Sequence, residues 1–139
     1  MEHYLYLKSD QSNILFEAKF RIQLNCPLYL EGRWKVALVE FHATEKGKSN
    51  SKADGGLYIY TDMCRESIVQ GEERPLLRRL EKTGKGRWDY ILDSPFYIDV
   101  RMKDLRTFEI YIQPESDTDT THLSKPVYLT LHLKRYWNN

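Results

Sequence analysis

Hydrophobic and polar residues alternate along most of the chain with a period of two, which is the pattern of half-buried β-strands. The longest alternation covers residues 16–24, where five apolar side chains alternate with charged or polar ones. Its apolar side is predicted to face the core, and its charged side to face water or a neighbouring subunit. Further strands are predicted at residues 3–8, 57–62, 76–81, 88–92, 97–102, 107–113 and 127–135.

Residues 33–42 differ from these strands because both faces of the predicted strand are apolar. Even-numbered side chains from Trp34 to Leu38 share one face, and odd-numbered side chains from Ala37 to Phe41 share the other. A strand that is apolar on both faces is typical of a sheet interior, where protein covers each side. We therefore predict that residues 33–42 form a central strand.

Turn and loop signals separate these strands. Residues 63–70 are predicted to be extended and residues 71–74 to break that segment, while residues 103–106 make a single turn. Residues 26–32 are predicted as a turn, 44–56 as a flexible surface loop, 82–87 as a hairpin turn and 114–124 as a polar loop.

The pattern contains eight or nine strands and no long amphipathic helix, which indicates an all-β sandwich or barrel. We predict one domain over residues 1–139, a single jelly-roll β-sandwich of about eight antiparallel strands in two sheets. The apolar faces of the strands give the predicted core, which comprises Phe20, Ile22, Trp34, Val36, Leu38, Ile110, Ile112, Leu129 and Leu131.

Three segments resemble one family of viral capsid proteins, in the same order and over most of the chain. They are PLYLEGRWKVALVEFH (residues 27–42), GGLYIYTDMCRESIVQGEERPLLR (55–78) and the closing pair SPFYIDVRMKDLRTFEIYIQPESD and KPVYLTLHLKRYW (94–137). The chain is similar in these segments to the minor capsid, or penton, proteins of Polinton (Maverick) elements and adintoviruses. One difference stands out, since the family has a long insertion after the Trp-bearing strand where this chain has only ATEKGKSNSKADGG.

The resemblance implies a structural virion protein without catalytic activity. Five copies are expected to assemble as a homopentamer around a capsid vertex, and their flanks to meet a double jelly-roll major capsid protein. The protein would then be located in the virion, and in the host nucleus or cytoplasm during assembly. No cofactor is expected.

Tyrosines provide the candidate subunit contacts, because ten of them occur in 139 residues. Several are predicted to lie on the strand face opposite the aliphatic one, where aromatic rings favour protein interfaces. The alternative is that loops or the other sheet cover these rings. The candidate interface residues are Tyr58, Tyr60, Tyr111, Tyr128 and Trp137.

Composition excludes several other classes of function. The formal net charge is +1, whereas a nucleic-acid-binding domain is usually strongly basic. The basic residues between Arg78 and Arg87 are better explained by a solvated hairpin or a subunit edge, which argues against nucleic acid as a partner. The two cysteines, Cys26 and Cys64, are predicted to be reduced thiols. No apolar run is long enough for membrane insertion.

Catalytic and metal-binding chemistry has little support in the sequence. The four histidines form no metal-binding spacing, and His42 and His132 are predicted to be hydrogen-bonded surface residues. The loop residues Asp117 and Asp119 with His122 lack the pattern of a calcium loop. Arg65 beside Cys64 is expected to favour the thiolate by lowering the pKa of the thiol.

Two rival functions stay open. The first is a β-sandwich recognition module that binds a glycan or a protein through the loops at residues 44–56 or 114–124. The second is a small cupin-like metalloenzyme, which needs an inward histidine cluster that the sequence does not offer.

Overall fold

The computed structural model describes residues 2–9, 13–16, 19–45, 56–114 and 123–136. These residues form twelve strands and no α-helix. The strands are β1 (Glu2–Lys8), β2 (Asn13–Phe16), β3 (Lys19–Tyr29), β4 (Arg33–Glu45), β5 (Leu57–Thr61), β6 (Ser67–Val69), β7 (Glu72–Arg74), β8 (Leu76–Leu80), β9 (Arg87–Ile91), β10 (Ile98–Asp99), β11 (Asp104–Pro114) and β12 (Leu123–Tyr136).

Eight of the strands build two antiparallel four-stranded sheets. Sheet A has the order β1-β12-β4-β9, and sheet B has the order β3-β11-β5-β8. Counted along the chain, the first of the eight strands pairs with the eighth, the second with the seventh, the third with the sixth and the fourth with the fifth. This nesting of partners across two sheets is the jelly roll, which confirms the predicted fold class.

Shorter strands extend both sheets. The strand β2 adds to the outer edge of β3, and β10 follows β9 along the same side of β4. The segments β6 and β7 form a separate two-stranded hairpin.

The hydrophobic core lies between the two sheets. In sheet A, Leu131 pairs with Leu5 on one side and with Leu38 on the other, so all three share the inward face. In sheet B, Phe108 pairs with Ile22. The nine predicted core residues all belong to this core, eight of them buried and Ile22 partly buried against it. Burial of this apolar surface is the main favourable term in folding.

The strand β4 is central, as predicted, because β12 pairs with one of its edges and β9 and β10 with the other. The prediction for its two faces is wrong beyond Leu38. One extra residue, Val39, lies between the pairs Leu131↔Leu38 and Thr130↔Glu40. A bulge of this kind shifts the alternation by one position. Phe41 therefore lies in the core with Leu38 rather than on the opposite face.

The predicted turn at residues 26–32 is also shorter than expected. The strand β3 continues to Tyr29, so that Pro27 lies within a strand. Proline lacks the amide hydrogen that a central strand needs, but β2 pairs with β3 only as far as Arg21. On its other side, β3 shifts register against β11 between Leu105 and Thr107. Pro27 is tolerated here because it lies at this irregular end of the strand.

Residues 82–87 are not a hairpin turn between their flanking strands. The strand β8 pairs with β5 in sheet B, whereas β9 pairs with β4 in sheet A. The segment therefore crosses from one sheet to the other, with a local bridge between Gly84 and Arg87. Likewise, the predicted single turn at residues 103–106 is mostly strand, because β11 begins at Asp104.

Residues 63–70 are not helical, and β6 forms within them. The predicted break at residues 71–74 is instead strand β7, which pairs back on β6. Gln70 and Gly71 connect the two strands with φ angles of 49° and 84°. Two consecutive residues with positive φ are the signature of the tightest hairpin turns.

Parts of two predicted loops, residues 46–55 and 115–122, lie outside the described residues, and so do Trp137 and the loop residues Asp117, Asp119 and His122. No helix in the described part of the chain is long and apolar enough to cross a membrane.

Gly32 is expected to tolerate alanine less well than Gly71. Both have a positive φ, which costs an alanine roughly 1 kcal/mol or more. A Cβ at Gly32 would also lie 3.0 Å from Arg135 Nε, whereas a Cβ at Gly71 meets nothing within 4 Å. We expect Gly32→Ala to lower the free energy of unfolding by about 1–2 kcal/mol, and Gly71→Ala by less, in urea titrations. Equal losses would show that Arg135 moves aside freely.

Candidate functional site

The five candidate interface residues do not form one surface. Tyr58, Tyr60 and Tyr111 lie together on the outer face of sheet B, on strands β5 and β11. Tyr128 is exposed on β12, in the opposite sheet. Trp137 is outside the described residues. The sequence pattern therefore placed the first four on outward faces, but it could not assign them to the same sheet.

On sheet B, the tyrosines form a row of contacting rings. The ring centroid of Tyr60 lies 6.0 Å from that of Tyr58 and 6.0 Å from that of Tyr111. Tyr60 itself is only 3% exposed, because the Arg74 guanidinium covers its ring at 4.1 Å. Burial raises the pKa of the Tyr60 hydroxyl, and the Arg74 charge opposes that shift. Tyr60 is therefore a covered ring, which is the alternative that the sequence analysis left open for these tyrosines.

Sheet A has a second aromatic surface that the sequence analysis did not select as a contact. We call Tyr4, Tyr6, Tyr128 and Tyr136, together with Tyr97, the tyrosine face. Tyr4, Tyr6 and Tyr128 are exposed, Tyr6 to 78%. The pairs Tyr4↔His132, Tyr6↔Thr130 and Lys8↔Tyr128 place these β1 and β12 side chains on the same outward side of the sheet.

At the centre of the tyrosine face lies His132, which is 6% exposed. Its ring stacks on that of Tyr4 at a centroid distance of 4.4 Å. Its Nδ1 atom lies 2.8 Å from the Tyr97 hydroxyl, and its Nε2 atom lies 2.9 Å from the Glu2 carboxylate. The prediction of a surface histidine is therefore wrong for His132, which is hydrogen-bonded but buried beneath aromatic neighbours.

Lysines surround the tyrosine face. Lys35 and Lys134 place their ammonium groups 4.7 and 5.7 Å from the centroid of the Tyr136 ring, and Lys8 lies 5.5 Å from that of Tyr128. These cation–π contacts hold the rings while their edges stay accessible. An aromatic surface with a charged border is typical of protein interfaces that form between folded partners.

One sequence signal could have identified part of this surface. Tyr4 and Tyr6 alternate with Leu5 and Leu7, and the leucines are packed against the core. The tyrosines on the same strand must therefore face outward. Tyr97 gives no such signal, because it precedes the two-residue strand β10 and reaches His132 only through the folding of sheet A.

Comparison with protein-family models, characterised proteins and solved structures finds no significant match to this chain.

The cysteines are both free, with Cys26 exposed and Cys64 buried. The expectation that Arg65 favours the Cys64 thiolate is wrong. Burial raises the pKa of the Cys64 thiol to about 11, and the charge of Arg101 only partly opposes it. The Arg65 side chain instead pairs with Asp99 at 3.4 Å. A thiol that stays protonated at neutral pH is a poor nucleophile.

Several other polar groups form local pairs. His42 Nδ1 lies 3.0 Å from Asp89 Oδ1, which agrees with the prediction of a hydrogen-bonded surface residue. Arg79 pairs with Glu81, and Arg87 pairs with Asp89. Within the described ranges, no group of three His, Cys, Asp or Glu residues is arranged to hold a metal ion.

Proposed function

We propose that the protein is a penton-like minor capsid subunit that assembles as a homopentamer at capsid vertices. The observation that carries the proposal is the tyrosine face, an outward aromatic surface on one sheet of a jelly roll. The sequence resemblance supports the same function, and the jelly roll is a fold that viral capsid proteins use. Fold alone does not specify function, so the proposal depends on the surface.

Assembly would work by burial of the tyrosine face and of the sheet edge beside it, without any bond-making chemistry. The strand β1 is at the edge of sheet A and carries the exposed Tyr4 and Tyr6. Large aromatic side chains are enriched among the residues that contribute most to binding. A ring of five copies is heterologous, so the tyrosine face of one copy would contact a different surface of the next copy. The double jelly-roll major capsid protein would meet the flanks of the ring.

Solution mass tests this proposal. We expect light scattering to give five times the 16.6 kDa mass of one chain, either for the protein alone or once the candidate major capsid protein is added. Replacing two exposed tyrosines in a Tyr4→Ser/Tyr6→Ser variant should weaken assembly by more than about tenfold, because the loss of even one hot-spot aromatic costs about 2 kcal/mol.

The matched control is Tyr29→Ser. Tyr29 is also exposed, to 68%, but it lies on β3 of the other sheet. This variant should assemble like the wild type if Tyr29 lies outside both surfaces of the heterologous contact. A protein that stays monomeric at every concentration and ignores the major capsid partner would refute the capsid proposal. Unchanged assembly of the Tyr4→Ser/Tyr6→Ser variant would refute the assignment of the surface.

A monomeric result would favour the alternative of a recognition module that binds a glycan or a protein through its loops. Most of the two loops that this alternative uses, residues 44–56 and 114–124, lies outside the described residues.

A further inference from the structure

The strand β1 forms an open edge of sheet A. It contains seven residues, and no strand in the described part of the chain pairs with its outer side. Its register against β12 runs from Glu2 to Lys8 without a bulge. Proteins commonly protect such an edge with a proline, a bulge or a central charge, because its backbone groups can otherwise pair with another chain. None of these occurs in β1, since its acidic and basic residues, Glu2 and Lys8, lie at its ends.

The opposite edge of sheet A is covered by the chain itself. The Asp89 backbone N–H donates to Thr83 Oγ1 at 2.8 Å, and the Thr83 N–H donates to the Arg87 carbonyl at 3.1 Å. The Tyr90 hydroxyl donates to the Glu81 carbonyl at 2.6 Å. These bonds hold the segment before β9 along its outer side. The two edges of sheet A therefore differ, and β1 is the edge that can take a further strand.

The sequence of β1, EHYLYLK, is complementary to itself in antiparallel pairing. With Leu5 at the centre of two paired copies, Glu2 is opposite Lys8 and Tyr4 is opposite Tyr6, and each pair occurs twice. Tyr4 and Tyr6 are exposed to 50% and 78%. Directly opposite side chains are about 5 Å apart, and both opposite charges and aromatic pairs stabilise the contact between strands. The edge thus matches a second copy of the same strand.

The two faces of β1 restrict the register of this pairing. Leu5 and Leu7 pack against the core of their own copy, so the inner faces of both copies must lie on the same side of a joined sheet. Opposite residues of antiparallel strands share a face, which allows only shifts by an even number of positions. A shift by two positions in either direction separates Glu2 from Lys8 and leaves two residues of each strand unpaired. The register centred on Leu5 is therefore favoured.

We propose that the free protein forms a two-fold symmetric dimer in which the β1 strands of two copies pair antiparallel about Leu5. Sheet A then continues from one copy into the other across the two-fold axis. The pairing needs only this chain. Its role rests on the proposed function, because a capsid ring uses the same edge, and the dimer keeps that edge covered until the major capsid protein is present.

Charge reversal at the ends of β1 tests the pairing. Light scattering of the wild type should show a concentration-dependent dimer with twice the 16.6 kDa mass of one chain. Glu2→Lys or Lys8→Glu alone places like charges opposite each other at both ends of the paired strands. Each variant should therefore raise the dissociation constant of the dimer about tenfold. Urea titration checks that each variant is folded, because Glu2→Lys also removes the contact with His132.

A mixture of the two variants should regain what each has lost. In a mixed dimer of the Glu2→Lys chain with the Lys8→Glu chain, opposite charges face each other at both ends. Native mass spectrometry with one chain isotope-labelled should therefore find mostly mixed dimers. The double variant Glu2→Lys/Lys8→Glu should likewise dimerise with itself as well as the wild type does. Pairing at another register does not predict this exchange.

The matched control is Glu73→Lys, because Glu73 is an exposed glutamate on β7, outside sheet A. This variant carries the same charge change and should dimerise like the wild type. A wild type that forms no dimer, equal weakening by Glu73→Lys, or a mixture without an excess of mixed dimers would each overturn the pairing.

The same measurements separate the pairing from the capsid proposal. A dimer that becomes a pentamer when the major capsid protein is added supports both. A dimer that ignores the major capsid protein supports the pairing and counts against the capsid proposal. A pentamer that forms without any dimer overturns the pairing alone.

Discussion

Replacing Phe108 by alanine should destabilise the protein by about 3–5 kcal/mol, the usual cost of deleting a large aromatic side chain from a core. Phe108 is fully buried on β11, which lies between β3 and β5 in sheet B. The cavity left behind cannot be filled by a neighbouring strand, because each strand is held in register by its own hydrogen bonds. Urea titration of the variant and the wild type measures the difference.

The control for this loss is Phe96→Ala. Phe96 is 65% exposed, and the Arg78 guanidinium lies 4.2 Å from the centroid of its ring. We expect this variant to lose less than about 1 kcal/mol, the value of an exposed cation–π contact. Similar losses in the two variants would mean that sheet B does not pack against sheet A at Phe108.

Raising the pH should destabilise the protein through Cys64. The folded thiol has a pKa of about 11, whereas the ordinary value for a thiol is 9.0. Unfolding in this range releases a proton, so stability is fully present below pH 9.0 and is lost as the pH rises through about 11. We expect the free energy of unfolding to fall by ~2 kcal/mol more in the wild type than in Cys64→Ala between about pH 8 and about pH 11.

Lysines and tyrosines also titrate at alkaline pH, but both proteins share them, and the comparison between the two curves removes their effect. Cys26→Ala serves as the second control, because Cys26 is exposed and the variant keeps the buried thiol. Its curve should therefore retain the steep fall of the wild type. Parallel curves for the wild type and Cys64→Ala would show that the thiol is accessible to water in the folded state.

Sequence periodicity predicted the strands and the core of this fold well, because side-chain alternation and burial are local properties. It failed where an irregularity changes the alternation. The extra residue Val39 moves Phe41 to the inner face. The sequence of residues 33–42 does not distinguish a bulged strand from a regular one. Pro27 led to the wrong prediction of a turn. A strand tolerates proline where its missing amide hydrogen has no pairing partner, and the sequence does not show which strand edges are paired.

The sites were harder to predict because they combine residues from distant strands. Tyr58 and Tyr60 follow from alternation, but the burial of Tyr60 depends on Arg74, which reaches it from the β6 and β7 hairpin. That hairpin was predicted only as an extended segment followed by a break. His132 gave no signal either, because its partners Glu2 and Tyr97 are far from it in the sequence.

The pairing of β1 with β12 also has a consequence for the order in which the molecule is made. Among the described strands β1 leaves the ribosome first, yet its partner β12 leaves last, and the contacting residues Glu2 and His132 are 130 positions apart. Bringing such distant segments together costs roughly 4 kcal/mol of chain entropy, which only the completed sheet repays. The edges of β1 and β4 that pair with β12 therefore stay unpaired until β12 has been synthesised. Folding of sheet A is expected to be slow and late, and nascent chains that stop before β12 should be prone to aggregate.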